Sequence, residues 1–330
     1  MIELLDCTIR DGGYINNWRF TEEFISEYSK ITSDISYVEI GFINKTNNYK
    51  ESIVGPYRCL NEDIIQKFNG KNFKKVVLAD FNDINIELLQ KKIDIDIVRI
   101  AFHRNYMEQG IETCIKVKNM GYKVSVNAMA INNYDEETMN TLCSIINHHD
   151  LDIFYIVDSF GSFNEQDILY YYNFFSSKLN NAQIGFHLHN NMNNAFSNYI
   201  CLKTLNTNKP IIIDTTLFGM GRGAGNLQLE LVLINKNINN TIIFDVLKFI
   251  QKYIKPIYKH ENTWGCDLDF LLSGFLKMHP NHISLMRDLN ITMENRFYII
   301  EQMIKDKYDY KFFNKSLFTE FIKKYNNYLL

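Results

Sequence analysis

Short, β-branched apolar runs recur through the first 240 residues and alternate with amphipathic stretches of helical period. This alternation constrains the fold more than any single motif. The runs are Ile2–Ile9, Tyr37–Ile43, Lys75–Phe81, Ile95–Phe102, Lys123–Ala130, Ile153–Phe160, Gln183–Asn190 and Ile211–Met220. Each has the length and near-continuous hydrophobicity of a strand buried on both faces of a parallel sheet. Between them, Thr21–Ile31, Tyr106–Met120, Glu136–His148 and Asn194–Leu205 have helical spacing, and Asp135-Glu136-Glu137 places acid at a helix start. Eight such units over residues 1–240 predict an α/β chain closed into a (β/α)8 TIM barrel. A doubly wound sheet is the rival, but no Gly-x-Gly-x-x-Gly follows the first strand. The segment Asn44–Gln66, broken by Gly55-Pro56, is expected to be a long loop.

Beyond Thr241 the alternation stops. Helical patterns fill Ile242–Ile254, Phe270–Lys277, Met293–Lys305 and Leu317–Leu329. A C-terminal helical domain over 241–330 is therefore expected. Its Tyr, Phe and Leu content is too apolar for a free extension, so it should pack on the barrel or on another subunit of a homo-oligomer. The formal net charge is −3, from 35 basic and 38 acidic residues, which argues against a nucleic-acid partner. Six scattered cysteines form no C-x-x-C pair, and no uncharged apolar run approaches a bilayer span. The N-terminus reads as a strand rather than a signal peptide. A cytoplasmic protein without a membrane partner is expected.

In a barrel of this kind chemistry gathers at the C-terminal ends of the strands. After the first run, Arg10 and Asp11 stand beside a Gly12-Gly13 turn that would let a ligand approach the backbone; a strand-end ion pair is the alternative. Glu39 lies inside the apolar second run and needs a partner, for which Arg10 is the candidate. Arg99, His103, Asn127 and the Asp158-Ser159 pair add polar groups at other strand mouths. His187 and His189 stand at i and i+2, so both imidazoles face one side of a strand, as chelation of a divalent metal requires. One carboxylate from another strand would complete a two-His, one-carboxylate set. The Gly219–Asn226 segment is a Gly-rich loop without the Gly-Lys-Ser/Thr of a P-loop, and Asn226 would cap the following helix or approach the metal. His279-Pro280-Asn281-His282 reads as a helix boundary rather than a metal site, because Pro280 breaks helical register.

Three segments, Asp6-x-Thr8-x-Arg10-Asp11-Gly12-Gly13, His187-x-His189 and Gly219-x-Gly221-x-Gly223-Ala224-Gly225-Asn226, resemble in order and spacing the metal-dependent TIM-barrel lyases. That superfamily includes 4-hydroxy-2-oxovalerate aldolase, HMG-CoA lyase and the isopropylmalate and homocitrate synthases. Val38-Glu39-Ile40-Gly41 and Val157-Asp158-Ser159-x-Gly161 match as well. The resemblance implies that Asp11, His187 and His189 bind Mn2+ or Mg2+, with Asn226 a further ligand or a water-mediated neighbour. It implies that Arg10 stabilises an enolate oxygen, that Glu39 orients Arg10, and that Ser159 contacts substrate. HMG-CoA lyases carry a catalytic Cys in the Gly-rich loop; Met220 to Gly225 contains none. Chain length and Asp158-Ser159 favour the aldolase branch. There the residue at Tyr14 is a His acting as general base, and an acetaldehyde dehydrogenase partner accompanies the enzyme; that partner is not assumed here.

The expected activity is a divalent-metal-dependent aldolase acting on a 2-oxo acid such as pyruvate, with an aldehyde co-substrate. Arg10, Tyr14 and Glu39 form the expected catalytic set; Arg10, Asp11, Ser159 and His187 the substrate contacts. Tyr14 would carry the proton, as a phenolate favoured by the metal and Arg10 or as a neutral phenol acting as the acid or through a water, or would act as an aromatic lid. A Claisen-type acyl-CoA synthase and a catalytically inactive metal-binding barrel are the alternatives.

Overall fold

The computed structural model describes residues 1–45, 49, 53–258 and 264–326. Eight parallel strands close into a barrel in sequence order: β1 (Ile2–Asp6), β2 (Tyr37–Phe42), β3 (Lys74–Asp80), β4 (Ile97–Phe102), β5 (Lys123–Ala128), β6 (Ile153–Asp158), β7 (Gln183–Leu188) and β8 (Ile211–Thr215). Closure comes from β8 pairing with β1 in register from Ile2↔Ile211 to Asp6↔Thr215. All eight expected strands are present. Seven are almost wholly buried along their length, with side chains packed inside the barrel and against the outer helices, which is why their sequences run apolar instead of alternating.

Seven strands end earlier than the sequence suggests, β4 alone ending at Phe102 as expected; the early ends of β1, β7 and β8 shape the site. β1 stops at Asp6 because its Oδ1 accepts the Thr8 N–H (3.0 Å), which turns the chain into a short helix, α1 (Thr8–Asp11). Arg10 and Asp11 therefore sit on a helical turn, not on a strand. α2 (Gly13–Asn16) follows directly. The Gly12-Gly13 turn does not open the backbone to a ligand. A Cβ on Gly13 would lie 2.1 Å from the Trp18 indole, so that space is filled by protein. Trp18 in turn donates to the Arg10 carbonyl (2.8 Å) and holds the turn in place. β7 stops at Leu188, and His189 joins an isolated bridge with Asn226. β8 gives way at Thr215 to a 3-10 turn over Leu217–Gly219.

The outer layer comprises α3 (Glu22–Ile31), α4 (Glu62–Gln66), α5 (Ile86–Gln90), α6 (Met107–Asn119), α7 (Glu136–His148), α8 (Glu165–Ser176), α9 (Ala195–Thr204) and α10 (Leu229–Asn235). Caps explain several starts: Thr21, Asn61, Asn85 and Asp135 each accept a backbone N–H three residues on, and Asn164 with Asp167 forms a reciprocal box. The expected loop over 44–66 is not wholly irregular, because Asn61 caps α4 at its end; residues 46–48 and 50–52 lie outside the described residues.

The tail is helical, as expected: α11 (Asn240–Phe249), α12 (Leu268–Leu276), α13 (Asn281–Asp288), α14 (Met293–Lys305) and α15 (Lys315–Asn326). A π-helical turn, Ile250–Ile254, extends α11. Val246, Phe249, Ile250 and Ile254 pack with the barrel cluster. α12 to α15 form a second apolar cluster around Phe270, Met286, Ile299 and Phe318, and Ala224 of the Gly-rich loop is buried in it. Residues 327–330, the end of the last expected helix, lie outside the described residues. All six cysteines are free thiols. Among the described residues no helix is long and apolar enough to cross a membrane.

Glu230, in the first turn of α10, accepts the Phe218 N–H (3.0 Å) under the Gly-rich loop. Burial pushes its carboxyl up to about 7, against the hydrogen bonds that lower it. A raised folded-state value contributes stability below the unfolded value near 4.5, and that contribution is lost as pH rises through about 7. Glu230→Gln keeps an acceptor and cannot ionise. Its stability relative to wild type should improve by on the order of 2–3 kcal/mol between pH 4.5 and pH 8. Denaturant titrations at both pH values measure the difference; an equal gap at the two would refute the assignment.

Candidate metal centre and substrate pocket

The polar residues at the C-terminal mouth of the barrel converge on a pocket of about 240 Å3. A roomier hollow, about 490 Å3, lies at the opposite end around Lys74, Lys123 and Gln183. Asp11, His187 and His189, one of two candidate donor sets, line the mouth.

A chain of buried ion pairs underlies that mouth. Glu39 of β2 accepts from Arg10 Nε (2.6 Å) and lies 3.2 Å from Arg99 Nη1 of β4. Arg99 Nη2 donates to Asp214 Oδ2 of β8 (2.7 Å), and Asp214 also takes the Tyr155 hydroxyl and His187 Nδ1, both at 2.8 Å. Arg10 Nη1 reaches Asp11 Oδ1 at 2.5 Å. All these groups are almost fully enclosed, with Arg99, Glu39 and Asp214 at 1% exposure or less. The Asn127 amide oxygen is placed to accept from Arg99 Nη2 (2.9 Å) and Nε (3.1 Å). The sequence pointed to the Arg10–Glu39 pair; it did not show that Arg99 and Asp214 extend it across the barrel.

Above this layer, Asp11, His187 and His189 bring one ligand atom each within 4.8 Å of one another. The two imidazole rings lie side by side, centroids 4.7 Å apart. His187 donates from Nδ1 to Asp214, and His189 donates from Nδ1 to the Asp158 carbonyl (2.9 Å). Both Nε2 atoms are thus left as acceptors, the tautomer that metal-binding histidines need. Burial first, then the neighbouring His187, holds His189 down at about 3, so its imidazole is neutral. Burial alone would raise Asp11, but Arg10, then His187 and His189, hold it well below the usual carboxylate range. Imidazole nitrogens beside an ionised carboxylate match a divalent cation.

Asn226 does not cap a helix: α10 starts at Leu229 and Gln228 precedes it. Instead its Nδ2 donates to Asp11 Oδ2 (2.5 Å), while its Oδ1 is buried without a partner among the described residues. A buried amide oxygen beside an acid and two imidazoles is an acceptor that a bound divalent cation would satisfy. Gly221 makes this approach feasible, since a Cβ there would lie 2.1 Å from Asn226 Nδ2 and 2.5 Å from Asp11 Oδ2. A second set, Cys7, His187 and Asp214, is equally close. It is a poorer cation site: burial pushes the Cys7 thiol well up, and Asp214 already serves Arg99 and His187.

Ser159 lines the pocket, and its Oγ accepts the Ala130 N–H (2.8 Å), leaving its own O–H to donate. The Asp158 carboxylate turns away and takes the Ser162 and Phe163 N–H groups, each at 3.0 Å. Tyr14 also lines the pocket, its ring edge-on to Trp18 at 4.7 Å. Burial pushes the Tyr14 hydroxyl up, and outweighs Arg58 and Arg222, the cations that favour ionisation, so of the two expected forms the protein alone favours the neutral phenol.

Arg222, His279, Asn281 and Asp80 also face the pocket, and His103 joins them from the end of β4. Sequence reading placed His103 at a strand mouth but assigned Arg222, His279, Asn281 and Asp80 to no site. Their distances along the chain hold no periodic signal; the tail helices alone bring His279 and Asn281 over the barrel. His279 and His282 do stand at a helix boundary, as expected, with Pro280 at the N-cap of α13.

The comparisons with known proteins agree with this geometry. The HMGL-like family model matches residues 1–249. A 4-hydroxy-2-oxovalerate aldolase from Geobacillus genomosp. 3 is 26% identical over 294 residues, 86% of this chain and 85% of that protein. A 4-hydroxy-2-oxovalerate aldolase from Rhodococcus opacus is 31% identical over 249 residues, 70% of this chain and 67% of its own length. An oxaloacetate decarboxylase from Mycobacterium tuberculosis is 25% identical over 235 residues, covering 69% and 67%. In fold, the chain is similar to the N-terminal domain of a Bacteroides vulgatus protein (TM-score 0.77, 24% identity, covering 89% and 98%). It is also similar to Bacillus subtilis HMG-CoA lyase (TM-score 0.62, 14% identity, 82% and 97%). With three-quarters of its length matched by the family model, the chain belongs to the HMGL-like family.

Proposed function

We propose that this protein is a divalent-metal-dependent carbon–carbon lyase that makes or breaks an aldol bond through the enolate of a 2-oxo acid such as pyruvate. The observation that carries the reading is the Asp11–His187–His189 donor set beside a guanidinium that is itself held by Glu39. The relatives' reactions support it: aldol cleavage of a 4-hydroxy-2-oxo acid and decarboxylation of oxaloacetate both leave pyruvate as its enolate. Asp11, His187, His189 and the Asn226 amide oxygen would hold the cation, Mn2+ or Mg2+. When bound, it would supply Lewis acidity to the 2-oxo acid's carbonyl and carboxylate oxygens.

The chain's own residues do the rest. Arg10 spends Nε on Glu39 and Nη1 on Asp11, which fixes the plane of its fork and leaves Nη2 to donate to the enolate oxygen. Asp214 holds the His187 ring in one tautomer, and the Asp158 carbonyl does so for His189. Ser159 presents its O–H to the bound 2-oxo acid. Tyr14, a neutral phenol, gives its proton to the aldehyde oxygen as the new bond forms and takes it back in cleavage.

Exchange of pyruvate C3 protons in deuterium oxide with added Mn2+ tests the enolate chemistry without an acceptor. Wild type should exchange, and His187→Ala should lose bound metal and exchange together; a variant that keeps both would sink the donor assignment. Arg10→Lys should exchange at least about 10²-fold more slowly, since an ammonium cannot span Glu39 and the substrate oxygen in one plane. Near-normal exchange by that variant would remove Arg10 from the oxyanion role. Tyr14→Phe should cut aldol turnover by about 10²-fold or more with metal content unchanged. Wild-type turnover in Tyr14→Phe, with loss only in Tyr14→Ala, would make the ring a packing group instead.

A further inference from the structure

Arg222 is the guanidinium of the pocket that, among the described residues, has no carboxylate partner. Arg10 is paired with Asp11 and Glu39, Arg99 with Glu39 and Asp214, and Arg58 at the rim with Asp80. Arg222 is half-buried, and its guanidinium lies 5.4 Å from the centre of the Tyr14 ring. Removing a cation from water without a counter-ion is costly, so a position like this needs a reason.

The loop is built to keep Arg222 there. The Gly225 N–H donates to the Arg222 carbonyl (3.1 Å), Asn190 N–H to the Gly225 carbonyl (2.9 Å), and Asn226 N–H to the Gly219 carbonyl (3.0 Å). Ala224 is buried in the tail's apolar cluster, and Gly265 N–H donates to its carbonyl (3.2 Å). Trp264 Nε1 ties the same loop down through the Phe218 carbonyl (2.7 Å).

Around Arg222 the pocket wall offers further N–H donors. His279 Nδ1 accepts the Asn281 N–H (3.2 Å), so the neutral ring carries its proton on Nε2. His103 lies 6.2 Å from His279, centre to centre, and the Asn281 side chain lines the same wall. α13 begins at Asn281, which adds the positive end of its dipole. Burial first, then the Arg222 charge, hold His103 and His279 below the ordinary imidazole range, as expected beside a cation lacking a counter-ion. Among the described residues Asp80 is the one acid on this wall; Arg58 neutralises it and Asn44 donates to it.

Charge balance points the same way. Arg10, Arg58, Arg99 and Arg222 face Asp11, Glu39, Asp80 and Asp214, guanidinium for carboxylate. A divalent cation adds two positive charges and a 2-oxo acid cancels one. One positive charge is left for the second substrate.

We propose that Arg222, with His103, His279 and Asn281, recognises an anionic group, carboxylate or phosphate, on the aldehyde partner. The proposal rests on the aldolase reading above and makes the acceptor an anionic aldehyde instead of a neutral one. Two measurements test it on the full chain. The first is calorimetry with Mn2+ and saturating oxalate, which occupies the 2-oxo acid position, using 4-hydroxybutanoate, 2-hydroxyethyl phosphate and butan-1-ol as unreactive probes. At least one anion should bind about 10- to 100-fold more tightly than butan-1-ol, and the better anion identifies the group. Arg222→Gln should erase that preference and Arg222→Lys should restore part of it. The second is kcat/KM with pyruvate for 4-oxobutanoate, glycolaldehyde phosphate and butanal, where the same ratio should appear and collapse in Arg222→Gln. Equal binding of anions and butan-1-ol, or an undiminished preference in Arg222→Gln, overturns the proposal. Anion preference in calorimetry without pyruvate exchange overturns the aldolase reading and leaves the anion site standing.

Discussion

The site depends on one buried ionic chain that runs Asp11–Arg10–Glu39–Arg99–Asp214–His187. Its members come from the turn after β1 and from β2, β4, β7 and β8, so it fastens opposite sides of the barrel. No link can be removed without leaving a charge stranded in a low-dielectric interior, at a cost of about 3–5 kcal/mol. Such a chain adds little net stability over well-packed apolar residues. What it supplies is orientation: the Arg10 fork and the His187 ring are each fixed by a carboxylate that is itself fixed.

That layer separates two environments. Below it, Leu5, Tyr37, Val76, Ile97, Ile153 and Ile212 fill the barrel with apolar side chains. Above it, Asp11 and the two imidazoles face a pocket. The candidate site lies where the apolar filling ends, because only there can imidazole nitrogens and an ionised carboxylate be held close together yet remain open to a ligand. Asn226 and Gly221 complete this arrangement from the Gly-rich loop.

The tail supplies the opposite wall. Its apolar cluster takes in Ala224, so the loop that carries Arg222 is held between the barrel and the helices beyond it. Through this contact His279 and Asn281 reach a pocket whose other residues come from the barrel. The barrel end and the tail end of the pocket therefore differ in kind: one presents donor atoms for a cation, the other N–H groups and a guanidinium that has no carboxylate partner among the described residues.

Much of this was legible in the linear chain. Parallel buried strands are continuous apolar runs, so all eight could be read from hydrophobicity alone, and His187-x-His189 announced a shared face because the period of a strand is two. Strand ends were misjudged where a side chain ended the strand: Asp6 captures the Thr8 N–H, a bond that composition and periodicity do not register. Gly12-Gly13 suggested room for a ligand, but the indole of Trp18 takes that room. The partners of Glu39 beyond Arg10, the orphan oxygen of Asn226, the raised Tyr14 hydroxyl and the convergence of Arg222 with His279 were decided only by the tertiary structure. The division has a physical cause. Backbone periodicity and burial are local properties written in neighbouring residues, whereas ion pairing, desolvation and the walls of a pocket depend on groups that meet only after the barrel has closed and the tail has packed against it.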